Sequence, residues 1–397
     1  MTEIEELLSM GEDFLLRNGK VGALRIFERA LKISLDNLDF KSGAKAHLEI
    51  GKIMLEKKRA RLAGENFKWA AALYKKVMDR RSFGYAAFYL GKSYSLQGKY
   101  QKSKKPFETA LKIINPDESP EIVAELHYCL GRIYMEVFGL DRAFEHLNQA
   151  QKLFQKTQNR KGAADAFFDQ GNLFFKAGDF NVAREYFNRS LIIYGEIQSE
   201  TKMAEACLKL GAILIKDKNF GGAEKLFKSA LEKFLRNDKI LRCAETSSLL
   251  ADLYIKGKEW NKAQEILKKA IKLYLELDTP QKLADAYYNM TIVMKETGQN
   301  QEEYKNLLYA LENYMLAGSH RDGMKILEEL GKTCMRDGNL KEARHYFLEA
   351  IDLNEARKIN IDISHINDSV ERIDKKLKKV DDIALNKKRN KINLDFI

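Results

Sequence analysis

The chain has 397 residues, 45% of them hydrophobic, and contains only 4 prolines, which suits a protein that is almost wholly helical with a continuous core. Its 68 basic and 57 acidic residues give a formal charge of +11, but the two signs are interspersed as on a solvated helical surface, so nucleic acid is not an expected partner. No stretch approaches the roughly 20 apolar residues of a membrane span, which excludes a membrane protein of that kind.

Residues 162–194 have the pattern of two amphipathic helices joined by a tight turn. Ala164, Phe167 and Gly171 recur three or four positions apart and therefore share one helical face. Gly178 interrupts this pattern, and a second apolar stripe follows it. A helical hairpin of this size cannot bury both faces alone, so the sequence predicts copies of it on either side.

Such copies occur at a constant period of forty residues. Gly171 is one of nine landmark positions, which are Gly11, Gly51, Gly91, Gly131, Gly171, Gly211, Ala251, Thr291 and Gly331. A small residue follows twelve positions after eight of them, and a large apolar residue follows sixteen positions after all nine. Small residues let helices approach closely, and the large ones fill the space beside each contact. Repeat eight matches least well, because Thr291 and Glu303 replace small residues; we expect either a looser joint or a compensated local exchange there.

The repeat pattern stops after Ala356. A single apolar stripe then follows with KKLKK on the opposite side; it contains Ile359, Ile363, Ile366, Val370, Ile373, Leu377 and Val380. This stripe predicts a helix that covers the last repeat, with a coiled coil that forms a homodimer as the alternative. We therefore divide the chain into nine repeats (1–355), a capping or coiled-coil helix (356–383) and a basic, flexible tail (384–397).

The four cysteines form no close-spaced pair, which predicts buried, reduced thiols and a reducing compartment. The first residues are acidic and lack the basic start and apolar run of a signal peptide. We expect a cytoplasmic protein.

We find no motif for catalysis, a cofactor or a metal, and we expect a protein that is not an enzyme. The fragments GKS at Gly91 and GKT at Gly331 lack the glycine that a phosphate-binding loop needs five residues earlier, where Ala86 and Ile326 stand. The six histidines have no metal-ligand spacing. His47 shares a repeat position with another histidine, which favours a packing role.

The small–large spacing and the motifs LGKSY at 90–94 and LGRIY at 130–134 resemble the tetratricopeptide repeat (TPR) family over nearly all of 1–355. The usual repeat has thirty-four residues and a final proline, whereas this one has forty and no such proline; the longer form resembles the Pins/LGN class of adaptors. The resemblance implies an all-α, right-handed superhelical solenoid of antiparallel helix pairs. It also implies that a concave surface, lined by the first helix of each pair, holds an extended or helical peptide.

Positions three before, one after and four after each landmark share a face of the first helix. The column one after the landmark contains Lys52, Lys92, Arg132 and Asn172 in repeats two to five, and Phe88, Tyr128 and Phe168 run beside it. We predict that these seven residues bind the partner. The alternative is that the aromatic residues belong to the core and the cations are merely solvated.

The sequence thus predicts a non-catalytic adaptor or scaffold that binds a protein or peptide, namely an acidic segment with large apolar anchors. Replacing Lys92 and Arg132 by glutamate is expected to weaken binding. One alternative is a regulatory TPR sensor that changes shape on binding a small peptide or nucleotide. Another is nucleic-acid binding through the basic groove and tail.

Overall fold

The computed structural model describes residues 2–17, 19–137 and 139–394, and all regular secondary structure in these ranges is α-helical. The first ten helices are α1 (Glu3–Leu16), α2 (Lys20–Asp36), α3 (Phe40–Glu56), α4 (Ala60–Lys76), α5 (Arg80–Leu96), α6 (Tyr100–Leu111), α7 (Pro120–Val137), α8 (Leu140–Lys156), α9 (Arg160–Ala177) and α10 (Phe180–Glu196). The others are α11 (Glu200–Lys216), α12 (Phe220–Arg236), α13 (Ile240–Lys256), α14 (Trp260–Glu276), α15 (Pro280–Glu296), α16 (Asn300–Leu316), α17 (His320–Arg336), α18 (Leu340–Ala356) and α19 (Ser364–Leu394). They form two compact units, Met1–Lys202 and Met203–Ile397.

In both units the helices are arranged as consecutive packed pairs, with one pair in each predicted repeat. The second helix of a pair also packs against the first helix of the next, as α4 does against α5 and α14 against α15. Several first helices touch the next first helix as well: α1 touches α3, α3 touches α5, and α7 touches α9. These packed pairs confirm the predicted all-α repeat architecture.

The period of forty arises from two helices that each end in the same way. Most connectors contain one residue with a positive φ; these residues include Leu38, Lys58, Met78, Gln158, Lys218 and Lys258, and glycines at 98, 178, 298, 318 and 338. The connector after α18 has two such residues, Lys358 and Asn360. At the first of these connectors, the backbone N–H of Asp39 donates to the carbonyl of Ser34 (2.8 Å), a bond that closes a helix end around a left-handed residue. The Asp39 side chain then accepts from the backbone N–H of Ser42 (3.1 Å) and caps α3. The three residues Asn37, Leu38 and Asp39 thus end α2 and begin α3.

Proline shortens one helix of the third repeat. Helix α6 has 12 residues and continues through Pro106, where sequence analysis expected a kink. It ends at Leu111, whereas the equivalent helix α4 has 17 residues and ends at Lys76. Pro116 stands at the position equivalent to Lys76, and the residue before a proline is disfavoured in the helical region. Pro116 therefore prevents α6 from reaching the length of α4.

The landmark glycines pack against the large residue sixteen positions later. A Cβ atom at Gly171 would lie 2.7 Å from the Phe187 ring, and one at Gly211 would lie 2.4 Å from the Phe227 ring. The same close approach occurs at Gly11, Gly51, Gly91, Gly131 and Gly331. The side chain of the first helix is absent at these points so that the ring on the second helix can approach the backbone. The landmark and the residue sixteen positions later are therefore in contact in the seven repeats that have a glycine landmark.

Repeat eight contains a compensated exchange. Glu303, which replaces the usual alanine, is 2% exposed and accepts two hydrogen bonds from the guanidinium of Arg336 on the next repeat (2.7 and 3.2 Å). The hydroxyl of Thr333 also donates to Glu303 (3.4 Å). A buried carboxylate is tolerated only when it is paired and hydrogen-bonded. This pairing joins α16 to α17.

The apolar stripe of α19 packs on α18. Ile366 and Ile373 are both 0% exposed, and Arg344 of α18 pairs with Asp374 (2.6 Å). Helix α19 thus covers apolar side chains of the last repeat. Helix α19 continues to Leu394 through most of the predicted tail, whereas the last three residues of that tail lie outside the described part of the chain, and so does the side chain of Val380.

Candidate partner-binding surface

The predicted partner-binding residues lie in the unit Met1–Lys202. Helices α1, α3, α5, α7 and α9 together form one surface of this unit, which we call the odd-helix surface. Lys52, Lys92, Arg132 and Asn172 lie on α3, α5, α7 and α9, one per repeat, because each stands one position after its landmark. Their side chains are partly or largely exposed. The structure therefore places the predicted column on successive first helices.

Each cation of this column is paired with a carboxylate of the chain itself. The ammonium of Lys52 lies 2.6 Å from Glu49 on the same helix, and that of Lys92 lies 2.5 Å from Glu125 on α7. The guanidinium Nε of Arg132 lies 3.7 Å from Asp169 on α9. The pairs of Lys92 and Arg132 link neighbouring first helices, as does the pair between Lys45 of α3 and Glu12 of α1 (2.6 Å).

These carboxylates were not among the predicted surface residues. The predicted residues stand three before or one after the landmark, whereas the acids stand two or six positions before it. Positions six before, two before and one after are spaced i, i+4 and i+7, so they also share a helical face. Glu49, Glu125 and Asp169 could have been found from that spacing. The odd-helix surface is therefore a mosaic of both charges.

Aromatic rings lie under the cations. Lys52 lies 5.3 Å from the ring centre of Tyr89, and Arg132 lies 5.8 Å from that of Tyr128, both within cation–π range. Phe88 is 2% exposed and packs in the core against Phe107. We therefore leave Phe88 out of the accessible surface and assign it to the core, which was the alternative interpretation.

Tyr128 and Phe168 are half-buried. Their rings pack edge-on or tilted against the second helices: Tyr128 against Phe154 at 6.2 Å, and Phe168 against Phe187 at 5.4 Å. Part of each ring faces the odd-helix surface, so a bound apolar side chain could bury the rest of it.

Asp169 is the most connected group of this surface. Its carboxylate accepts from the hydroxyl of Tyr128 (2.8 Å) and, more weakly, from the amide of Asn172 (3.4 Å). Burial raises the pKa of Asp169 above its ordinary value, and the hydrogen bond from Tyr128 and the charge of Arg132 oppose that rise. Burial also raises the pKa of Tyr128, so its hydroxyl stays protonated and donates.

A cavity with a volume of ≈ 320 Å³ opens at the start of the same surface, where α1, α3 and α5 meet. Lys41 and Lys45 line it together with Ser9, Glu12 and Tyr74. Burial raises the pKa of Tyr74 to about 12. The cavity offers hydroxyl groups and both signs of charge to a polar side chain, and no sequence motif indicated it.

Three other predicted features can be compared with the structure. All four cysteines are free, and Cys207, Cys243 and Cys334 are buried, whereas Cys129 is half-buried. His47 is hydrogen-bonded to Asn66 on the paired helix (2.9 Å), as its predicted packing role requires. No helix in the described part of the chain is long and apolar enough to cross a membrane.

Family models match three parts of the chain. Two models described as tetratricopeptide repeat match residues 122–196 and 168–234. The model described as soluble NSF attachment protein, SNAP, matches residues 236–382. No curated protein matches the chain in sequence.

Solved structures with the same helical arrangement have low sequence identity. The chain is similar to a STAND signal-transduction ATPase with a tetratricopeptide repeat sensor from Pyrococcus horikoshii, at TM-score 0.61 and 15% identity, over 85% of this chain and 54% of that one. It is also similar to the quorum sensor NprR from B. thuringiensis, at TM-score 0.57 and 18% identity, over 88% and 98%. Aspartyl phosphate phosphatase F from Bacillus subtilis gives 0.53 and 14%, over 89% and 94%. At these identities the likeness shows the fold.

Proposed function

Because the chain is a tetratricopeptide repeat protein, we propose that it is a non-catalytic protein-interaction protein that binds a partner segment on the odd-helix surface of Met1–Lys202. The observation that carries this proposal is the column of half-exposed cations on successive first helices, with aromatic rings under them. Charged groups at a constant spacing suit a ligand that runs across several repeats.

The chemistry of this surface suits an acidic segment with large apolar side chains. Lys92 and Arg132 are held in place by Glu125 and Asp169, so a ligand carboxylate would share or take over these contacts instead of finding free cations. Apolar anchors would cover the exposed parts of Tyr128 and Phe168. The cavity between α1, α3 and α5 would receive a polar side chain at one end of the segment.

The test compares neutral variants in their affinity for the native partner. A partner captured from a lysate of the source organism is first identified and purified. It is then titrated against the parent chain and against the double variant Lys92→Gln/Arg132→Gln. Glutamine is preferred to glutamate, because a new carboxylate beside Glu125 and Asp169 would add repulsion within the chain itself. The matched control is Lys112→Gln/Lys152→Gln, which changes two exposed lysines, one directly after α6 and one on α8.

We expect the first double variant to bind at least about tenfold more weakly, which corresponds to about 1.4 kcal/mol. The control should bind like the parent, and added salt should weaken binding by the parent. Equal affinity of the parent and the Lys92/Arg132 variant would refute the proposed surface.

A second candidate is a regulatory sensor that binds a short peptide. The cavity between α1, α3 and α5 favours it, because its volume of ≈ 320 Å³ suits one or two side chains better than a long segment. A short peptide that protects α1–α5 from hydrogen exchange and also changes exchange in distant helices would support this candidate. Protection confined to the contact would favour the adaptor.

Binding of nucleic acid is less compatible with the same surface. A nucleic-acid site needs a stripe of one sign of charge, whereas Glu49, Glu125 and Asp169 neutralise the predicted cations one by one.

A further inference from the structure

A second groove lies in the other unit, Met203–Ile397, between two second helices. Helices α14 and α16 form its walls, α15 forms its floor, and its volume is ≈ 500 Å³. Its accessible apolar side chains are Tyr287 of α15 and Ile271 and Leu275 of α14; Leu275 is largely exposed. Met290 and Met294 of α15 also line the groove but are only 5% and 2% exposed, so they belong to the core beneath it.

At two other junctions of the chain, a pair of aromatic residues fills the space that this groove leaves open. In repeats eight and nine, Tyr304 of α16 and Tyr346 of α18 fill the equivalent space, with their hydroxyls 2.7 Å apart. In repeats four and five, Phe144 and Tyr186 fill it, with ring centres 6.5 Å apart. The corresponding pair in the groove is Gln264 and Asn306, and both line it.

The rims of the groove carry opposite charges. Lys268 and Lys272 of α14 line one rim, are exposed, and have no ion-pair partner among the residues that the structure describes. Glu302 of α16 lines the other rim. Between Gln264 and Leu275 the α14 wall runs for about 16 Å, which is about three helical turns.

We propose that this groove binds an amphipathic helix of a partner protein whose apolar stripe is flanked by acidic residues on one edge and basic residues on the other. The apolar stripe would lie on Ile271, Leu275 and Tyr287, with carboxylates facing Lys268 and Lys272 and a cation facing Glu302. Charge complementarity selects this occupant and its orientation. This site is separate from the odd-helix surface and does not depend on the function proposed for it.

The probe is a synthetic 18-residue helix with leucines at i, i+3, i+4 and i+7, glutamates along one edge and lysines along the other. Its binding to the full chain is followed by fluorescence anisotropy. A second peptide of the same composition carries glutamates and lysines mixed together on both edges. We expect at least tenfold weaker binding of the second peptide, and we expect the first to bind Lys268→Glu/Lys272→Glu at least tenfold more weakly than the parent.

The decisive variant is Gln264→Tyr/Asn306→Tyr, which recreates the natural pair Tyr304 and Tyr346 and therefore fills the groove. It should keep the melting temperature of the parent and lose binding at least tenfold. Lys112→Glu/Lys152→Glu and Lys92→Gln/Arg132→Gln, both in the other unit, should bind the peptide like the parent. Unchanged binding by the filled variant would overturn the proposal, as would failure of the peptide to bind the parent at millimolar concentration. The proposed occupant would be wrong if the parent bound a fatty acid more tightly than the helix and the filled variant no longer bound the fatty acid.

Discussion

Gln170 places a polar side chain where the other repeats have leucine, isoleucine or methionine, one position before the landmark. It is 0% exposed, and neither atom of its amide group has a hydrogen-bond partner in the described part of the chain. A buried amide without partners costs about 1–3 kcal/mol. Its presence in an otherwise regular core has no packing explanation that we can identify.

Replacing this amide should stabilise the protein. We expect Gln170→Leu to raise the free energy of unfolding by about 1–3 kcal/mol, because leucine fills the same space without a polar group to satisfy. Denaturant titration measures the change. The reverse exchange in repeat four, Leu130→Gln, is the control and should destabilise. No gain from Gln170→Leu would mean that the amide is satisfied in solution.

The paired helix is the element that the sequence predicts best. The landmark and the residue sixteen positions later meet in the structure, and their sizes vary together in repeats seven and eight, where Ala251 faces Leu267 and Thr291 faces Leu307. Where the landmark residue is larger than glycine, the residue that it faces is thus smaller than phenylalanine. This complementarity can be tested by transferring it to repeat five.

We expect Gly171→Ala alone to destabilise the protein by about 1–3 kcal/mol, because the new Cβ would lie 2.7 Å from the ring of Phe187. The double variant Gly171→Ala/Phe187→Leu, which copies repeat seven, should be more stable than the sum of the single changes by at least about 1 kcal/mol. A double-mutant cycle by denaturant titration measures this. Simple additivity would show that the two positions do not share a packing contact.

Features between repeats were predicted less well than features within them. The constant period fixed which residues share a helical face, but not which carboxylate on a neighbouring helix each cation reaches. That choice depends on side-chain conformation and on the spacing of the helices, as the link between Lys92 and Glu125 illustrates. The groove between α14 and α16 also needed the structure, because its lining residues come from three different helices.

The protein as a whole should lose stability in mild acid through its half-buried histidines. His127 of α7 and His146 of α8 lie with their Nδ1 atoms 3.0 Å apart. Burial lowers the pKa of His127 from 6.5 to about 4, and it also lowers the pKa values of His146 and His47. The unfolded chain therefore binds more protons than the folded chain between pH 6.5 and about 4, so the free energy of unfolding falls as the pH falls through this window.

We expect His127 to account for about 1–3 kcal/mol of this loss after allowance for its partial exposure. Burial raises the pKa values of Asp169 and Asp252, so these two groups stabilise the folded protein as the pH falls and oppose the effect of the histidines. The pH dependence of stability must therefore be compared between the parent and a histidine variant. Urea midpoints of the parent and of His127→Gln, measured from pH 7.5 to 4.5, should converge as the pH falls. Parallel curves would contradict the assignment to His127.

The central claim is that a partner segment lies across the first helices of Met1–Lys202. The most direct measurement places a photo-crosslinking amino acid at position 172, in the column of cations but without a charge to lose, and a second one at position 152 on a second helix. We predict that the purified partner crosslinks through position 172 and not through position 152. Crosslinking through position 152 alone would contradict it and place the partner on the opposite face.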